Sequence, residues 1–279
     1  MEIQWMLVLY SLFMGLAIGP FALLALTDAC AKRSALCKWA SLVGLGCVII
    51  AGIAAFAHLQ RPLAAINVFS NFRSPITQET VAVLLTGVIA ALLAASYLFN
   101  WMTGLRKPLA WIGLVVAVVA VILIAGIYLL PARPAWNTWL LPIALLASSL
   151  INSLLLAWAL VVLVPTSPDE EDRKELTAKL RSWVLAVLLV YAIVAVIYFL
   201  IAANRQGEIA RLLMGDLALW FWLGLVVVGL VAPGLLVWLG KKNVRVSALA
   251  AFLLVVVGGL IVRMMLFPLG TRIPITNLW

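Results

Sequence analysis

The chain has one histidine, His58, in 279 residues, and charged residues make up only 10% of it. A bilayer cytochrome normally holds each haem between histidines on different helices, so one histidine excludes a two-haem electron wire, and no haem is expected. Cysteine is nearly as scarce. Cys30, Cys37 and Cys47 lack metal-ligand spacing, and four thiolates are the norm for an iron–sulfur cluster, so none is expected in this chain. The three are expected to be structural thiols, with Cys30 and Cys37 kept reduced at a cytoplasmic edge. The first apolar run follows Met1-Glu2-Ile3-Gln4. That start lacks the basic residues of a secretory signal, so the run is expected to remain as a membrane helix. The middles of the apolar runs carry almost no charge. This disfavours a secondary transporter, which would gather substrate groups near the midplane.

What the chain does have is apolar length: 66% of its residues are hydrophobic. Runs of about 18 or more apolar residues mark membrane helices. They fall at 5–26, 39–56, 77–101, 109–130, 138–164, 182–203, 212–239 and 246–267. The runs are continuous rather than alternating, which excludes barrel strands. The expected fold is an all-α integral membrane protein, residues 1–279 forming one membrane domain of eight transmembrane helices. The longest connection, Pro165–Arg181, divides it into two four-helix groups. That connection opens with Ser167-Pro168-Asp169-Glu170, a capping box with proline at the first helical position, and reads as a solvated helix leading into span six.

Lys and Arg are distributed unevenly between the two edges. The connections after spans one, three, five and seven hold about twelve of them and the opposite edge about seven, which puts the first set in the cytoplasm. Both termini are then expected outside, periplasmic in a bacterial inner membrane. The net charge of +9 follows from this sidedness, and the bilayer rather than nucleic acid is the expected partner. On the outer side the Pro131–Trp139 turn is rigid and aromatic, with Trp136 and Trp139 expected as interfacial anchors. Ser148, Ser149, Asn152 and Ser153 in span five are expected to hydrogen-bond between helices. Arg263 is expected to pair with outer-edge acids or to snorkel.

The densest chemistry lies between spans two and three. His58, Arg61, Asn67, Asn71, Arg73, Ser74, Gln78 and Glu79 crowd one membrane edge. Ionisable groups there are costly, so such a cluster marks a candidate site. A quinol, which needs an apolar slot and a few groups to bind its oxygens and take its protons, suits the pattern. His58 carries an imidazole that can accept a proton. Glu79 can take a second proton or orient the histidine, and Arg61, Arg73 or Arg263 can stabilise charge on the ring oxygen.

The stretch His58-Leu59-x-x-Pro62-x-x-Ala65-x-Asn67, followed by Ser74 and Glu79, resembles the signature of the membrane anchor subunit of dimethyl sulfoxide reductase. Pro134-x-Trp136-Asn137 with Trp139 and Pro142 resembles that family's approach to span five. Gly258-Gly259-Leu260-Ile261-Val262-Arg263 resembles its final helix. The resemblance implies a haem-free anchor that oxidises menaquinol for a four-cluster iron–sulfur subunit and a molybdopterin catalytic subunit. It implies His58 and Glu79 as the proton-handling residues, with Arg61, Asn67, Arg73, Ser74 and Arg263 around the quinol. The chain departs from the pattern at Gly259, where glutamate also occurs, and in a spacing between Asn67 and Glu79 that is one residue shorter.

Overall fold

The computed structural model describes residues 3–26, 34–59, 62–164, 170–240 and 243–270. Among them the regular structure is helical and contains no strand. Eight helices are long and apolar enough to cross a membrane. They are Trp5–Leu26, Ala35–His58, Pro75–Phe99, Thr103–Gly126, Leu140–Leu163, Lys174–Arg205, Trp220–Leu239 and Val244–Leu269. Numbered in this order, they are the eight spans expected from the apolar runs.

Span six carries the expected leading helix, and span seven differs from expectation. Span six belongs to one continuous helix, Glu170–Arg205. At about 1.5 Å per residue it outruns the roughly 30 Å hydrocarbon layer, so its first turns stand clear of lipid. There Lys179 pairs with Glu175 at 2.6 Å, one turn apart. Ser167 and Pro168 of the expected capping box lie outside the described residues. Span seven starts later than Leu212, because the short helix Ile209–Leu213 ends before Gly215 and Asp216. Arg211 holds both Glu208 and Asp216 at 2.7 Å. The guanidinium beside it keeps the Asp216 carboxyl below the usual range. The span then runs as a π-helix over Trp220–Val231 before returning to α geometry at Ala232–Leu239. Wide π turns of this length are rare and usually appear only as single bulges.

The packing forms two four-helix groups. In the first, span one packs on spans two and four, and span three bridges those two; in the second, span five packs on spans six and eight, and span seven bridges those. Spans one and five also pack on each other and join the groups. Their apolar windows are 78% and 83% buried, against 33% to 50% for the other six. The core therefore lies along the one–five seam, and the other spans show lipid a face. The seam is close because Gly15 and Gly19, four residues apart on one face of span one, leave no room for a Cβ against Ser149 and Ser153. Small residues at this spacing let membrane helices approach and gain packing energy that lipid cannot supply.

Cys47 is free and buried. Cys37 is disulfide-bonded, which corrects the expectation of reduced thiols at that position; Cys30 lies outside the described residues.

Candidate functional site

The strip between spans two and three folds as a short shelf. His58 is the last residue of its helix and is exposed. It makes no hydrogen bond or ion pair among the described residues. A 3-10 helix, Pro62–Ser70, then crosses the membrane edge. Ser70 Oγ donates to the Asn67 carbonyl at 2.7 Å. The Asn71 side chain accepts from the Arg73 N–H at 3.0 Å, and its carbonyl accepts from the Ser74 N–H at 3.0 Å. Thr77 Oγ1 donates to the carbonyls of Val68 and Asn71 at 2.5 and 2.8 Å. The shelf is thereby tied to the first turn of span three, where Pro75 fixes the helix start and Ser74 is the N-cap. The Ser74 side chain makes no capping bond. Asn67 and Arg73 are exposed. Arg61 lies outside the described residues.

Glu79 sits one turn into span three and is turned inward, only 9% exposed. Its Oε1 accepts a hydrogen bond from the Tyr10 hydroxyl at 2.6 Å. Tyr10 comes from span one and is itself buried. Tyr128, just beyond span four, lies within electrostatic reach of Glu79 and of Arg263. The Glu79 carboxyl group and the Tyr10 phenol thus meet at the outer end of the first four-helix group, with Tyr128 nearby.

Below Glu79 an apolar cleft of about 330 Å³ opens between spans three and four. Ala82, Leu85, Val115, Val119 and Leu123 line it, with Phe72 and Gln78 at its outer end. Ala82 is one helical turn from Glu79 on the same face. The cleft thus begins one helical turn from Glu79, while the carboxyl group itself is turned to Tyr10 and does not line it.

Arg263 is 2% exposed and neither snorkels nor meets a carboxylate, which corrects the expectation for it. Its guanidinium donates to Ser11 Oγ at 3.0 Å, Ser148 Oγ at 3.1 Å, Ser149 Oγ at 3.1 Å and the Gly259 carbonyl at 3.0 Å. A buried cation needs such neutral acceptors when no acid is present. Ser148 and Ser149 bond between helices, as expected, but Ser153 Oγ donates to Leu150 O at 2.9 Å and Asn152 also bonds inside span five, which corrects the expectation for those two. Asn152 Nδ2 donates to Ser148 O at 2.7 Å, and its Oδ1 lacks a partner. A Cβ on Gly259 would press on the Asn152 amide, so the departure at Gly259 and the position of Asn152 fit each other.

The outer turn before span five is also bound inward. Trp136 is 5% exposed, which corrects its assignment as an interfacial anchor. Its Nε1 donates to Leu266 O at 2.7 Å, and Arg133 stacks on the ring at 4.2 Å. Trp139 is 77% exposed, as an anchor would be. Arg205 donates to Asn137 O at 3.0 Å, and Tyr198 donates to Ala135 O at 3.3 Å. Spans six and eight thus hold this turn beside the shelf-bearing half.

Of the expected site residues, the structure joins Glu79 to the core through Tyr10 and buries Arg263 among the serines of spans one and five. It leaves His58, Asn67 and Arg73 exposed on the shelf. Sequence reasoning missed Tyr10, Ser11 and Tyr128. The adjacent polar pair Tyr10-Ser11 inside an otherwise apolar run was the available signal, as was Gly15-x-x-x-Gly19 for the helix that carries it.

A search of curated proteins found no match to the chain. A family model described as Polysulphide reductase, NrfD matches residues 1–274. With eight membrane-length helices and a match over nearly its whole length, the chain belongs to the polysulphide reductase NrfD family of membrane proteins.

Proposed function

We propose that this chain is the quinol-oxidising membrane anchor of a molybdopterin oxidoreductase of the dimethyl sulfoxide reductase type. The observation that carries the reading is Glu79, a carboxyl group buried near the outer end of span three and bonded to Tyr10, with an apolar cleft opening one helical turn away at Ala82. A buried ionisable group at this depth is costly unless it has a task. Family membership and the three motif stretches support an electron-transfer anchor.

In this reading menaquinol lays its isoprenoid tail along the aliphatic wall of spans three and four, and its ring reaches the shelf. Glu79 takes a proton from one ring hydroxyl, with Tyr10 holding the carboxyl group in place. His58, exposed at the edge, takes the other proton or relays it to solvent. Arg73, Asn67 and Ser74 line the outer side, Arg61 is expected to bind the quinol with them, and Arg263 adds positive potential from behind Tyr128. Oxidation of one quinol to quinone releases two protons outside and passes two electrons to the nearest cluster of a four-cluster iron–sulfur subunit. That subunit hands them to a molybdopterin subunit in anaerobic respiration. The chain sits in the bacterial inner membrane with both termini periplasmic, so the partner docks over the shelf and the Arg133–Asn137 turn.

The test is purification of the native complex from its membrane, with identification of subunits and metals, followed by quinol-dependent turnover. Co-purifying iron–sulfur and molybdenum subunits are the expected result. A solitary chain that moves a solute would support the transporter reading instead. Such a site would lie at Arg263, Ser11, Ser148 and Asn152, the polar cluster deepest in the membrane.

A further inference from the structure

The edge opposite the shelf carries a second cavity, of about 370 Å³, between spans five, six, seven and eight. Lys174, Arg181 and Arg245 line it with Thr177, Asn243 and Trp158. No carboxylate lines it among the described residues. Arg181 uses one guanidinium nitrogen to bond Trp238 O at 2.5 Å. That bond orients the side chain and leaves its other N–H groups for a ligand. Asn243 is the N-cap of the span-eight helix, and its Oδ1 accepts from Val246 N. The positive end of that helix therefore adds to the cavity's potential. The independent observation is Trp158. It is 1% exposed, it lines the cavity, and its indole N–H has no hydrogen-bond partner. Buried donors of this kind are nearly always satisfied, so an orphan calls for an acceptor that the protein itself does not supply.

Three cations, an amide, a hydroxyl and an unpartnered indole N–H describe a receptor for a phosphate group. Its surroundings identify the source of that phosphate. Trp238, Leu239 and Val246, which adjoin the cavity residues Val237 and Arg245, are 60%, 65% and 61% exposed. They form an apolar flank where acyl chains would lie, at the basic end of membrane-spanning helices. We propose that this cavity binds the phosphate headgroup of an anionic phospholipid, held between the last four spans. Basic pockets between membrane helices are suited to such headgroups. A bound lipid would link the long helix of span six to the start of span eight.

The test uses the full chain in nanodiscs of mixed phosphatidylglycerol and phosphatidylcholine, with retained lipid counted by native mass spectrometry. Wild type should keep phosphatidylglycerol in preference to phosphatidylcholine. Arg245→Gln, an exposed position whose loss spares the Arg181–Trp238 bond, should lower the bound fraction about fivefold. Trp158→Phe keeps an aromatic ring but loses the indole N–H together with its five-membered ring, and it should also weaken retention. Lys38→Gln, on the same edge but outside the cavity, should leave retention unchanged. Equal retention by wild type and both cavity variants would overturn the proposal, as would an equal loss in Lys38→Gln. Stabilisation by millimolar inorganic phosphate in phosphatidylcholine discs, equal to that by phosphatidylglycerol, would replace the lipid with a free phosphate.

Discussion

Glu79 and Arg263 are both buried, yet they are satisfied in different ways, and their variants should fail differently. Glu79 has one strong donor, Tyr10, and sits one helical turn from Ala82, which lines an open apolar cleft. Glu79→Gln keeps the shape and the hydrogen bond but cannot take a proton. It should slow quinol-dependent turnover about a hundredfold while leaving assembly intact. Tyr10→Phe removes the donor and should cost on the order of tenfold, the scale of one hydrogen bond to a charged group. His58→Ala should abolish quinol-dependent turnover, again by about a hundredfold or more. Artificial donors that feed the catalytic subunit directly should be unaffected in all three. Full quinol activity in His58→Ala would make the histidine a helix end and leave Glu79 as the sole proton acceptor. Arg263 instead holds four polar groups from three helices. A lysine has a single ammonium and cannot span that fork. Arg263→Lys and Arg263→Ala should therefore lower the yield and melting temperature of the whole protein, at about 1–3 kcal/mol for each buried polar group left without a partner. Normal melting with selective loss of turnover would move Arg263 from scaffold to site.

At the level of elements, the seam between spans one and five decides whether the two halves meet. Gly15 and Gly19 bring span one close enough for Ser11 to reach Arg263 and for Tyr10 to reach Glu79. Gly19→Leu would force the helices apart, because it meets the Ser153 backbone rather than a flexible side-chain end. Overpacking commonly costs about 1–3 kcal/mol, and backbone contact puts this position at the upper end. The expected outcome is a large loss of folded protein in detergent, seen by size-exclusion chromatography. Gly46→Leu, at an open position, should be tolerated. Equal behaviour of the two variants would mean that the seam does not hold the halves together.

For the whole molecule, the proposal sets a sidedness and a docking face. Reporter fusions after Lys107 should read cytoplasmic, and fusions at the C-terminus or near Arg73 should read external, because Lys and Arg favour the cytoplasmic edge. A cytoplasmic C-terminus would reverse the orientation and put the shelf on the wrong side for an external partner. Crosslinks to an iron–sulfur partner should come from the shelf, from Arg133–Asn137 and from Asn204–Arg211. Those regions join exposed Phe72, Trp139 and Met214 to arginines, the mix that interfaces favour. Crosslinks mainly to Lys174 would place the partner on the opposite edge. The purified chain should lack a stoichiometric Soret band, since one histidine cannot provide bis-histidine ligation.

Helix class, number and order were legible in the sequence. A bilayer tolerates only segments that satisfy their own backbone, so apolar run length alone marks each span. Span ends moved by a few residues, and span seven lost its first turns where Gly215, Asp216 and the Arg211 ion pairs favour a break over continued helix. The crowding of polar residues between His58 and Glu79 was also legible, because lipid makes such residues rare enough to notice. Which of them turn inward was not. Glu79 is buried against Tyr10, 69 positions away, and Arg263 meets Ser11 at a separation of 252. Helical periodicity does not reveal such pairs when both faces of a helix are apolar. The rotation of each helix, set by the Gly15–Gly19 seam and the packing around it, decided that Glu79 faces the core at Tyr10 while His58 and Arg73 face out.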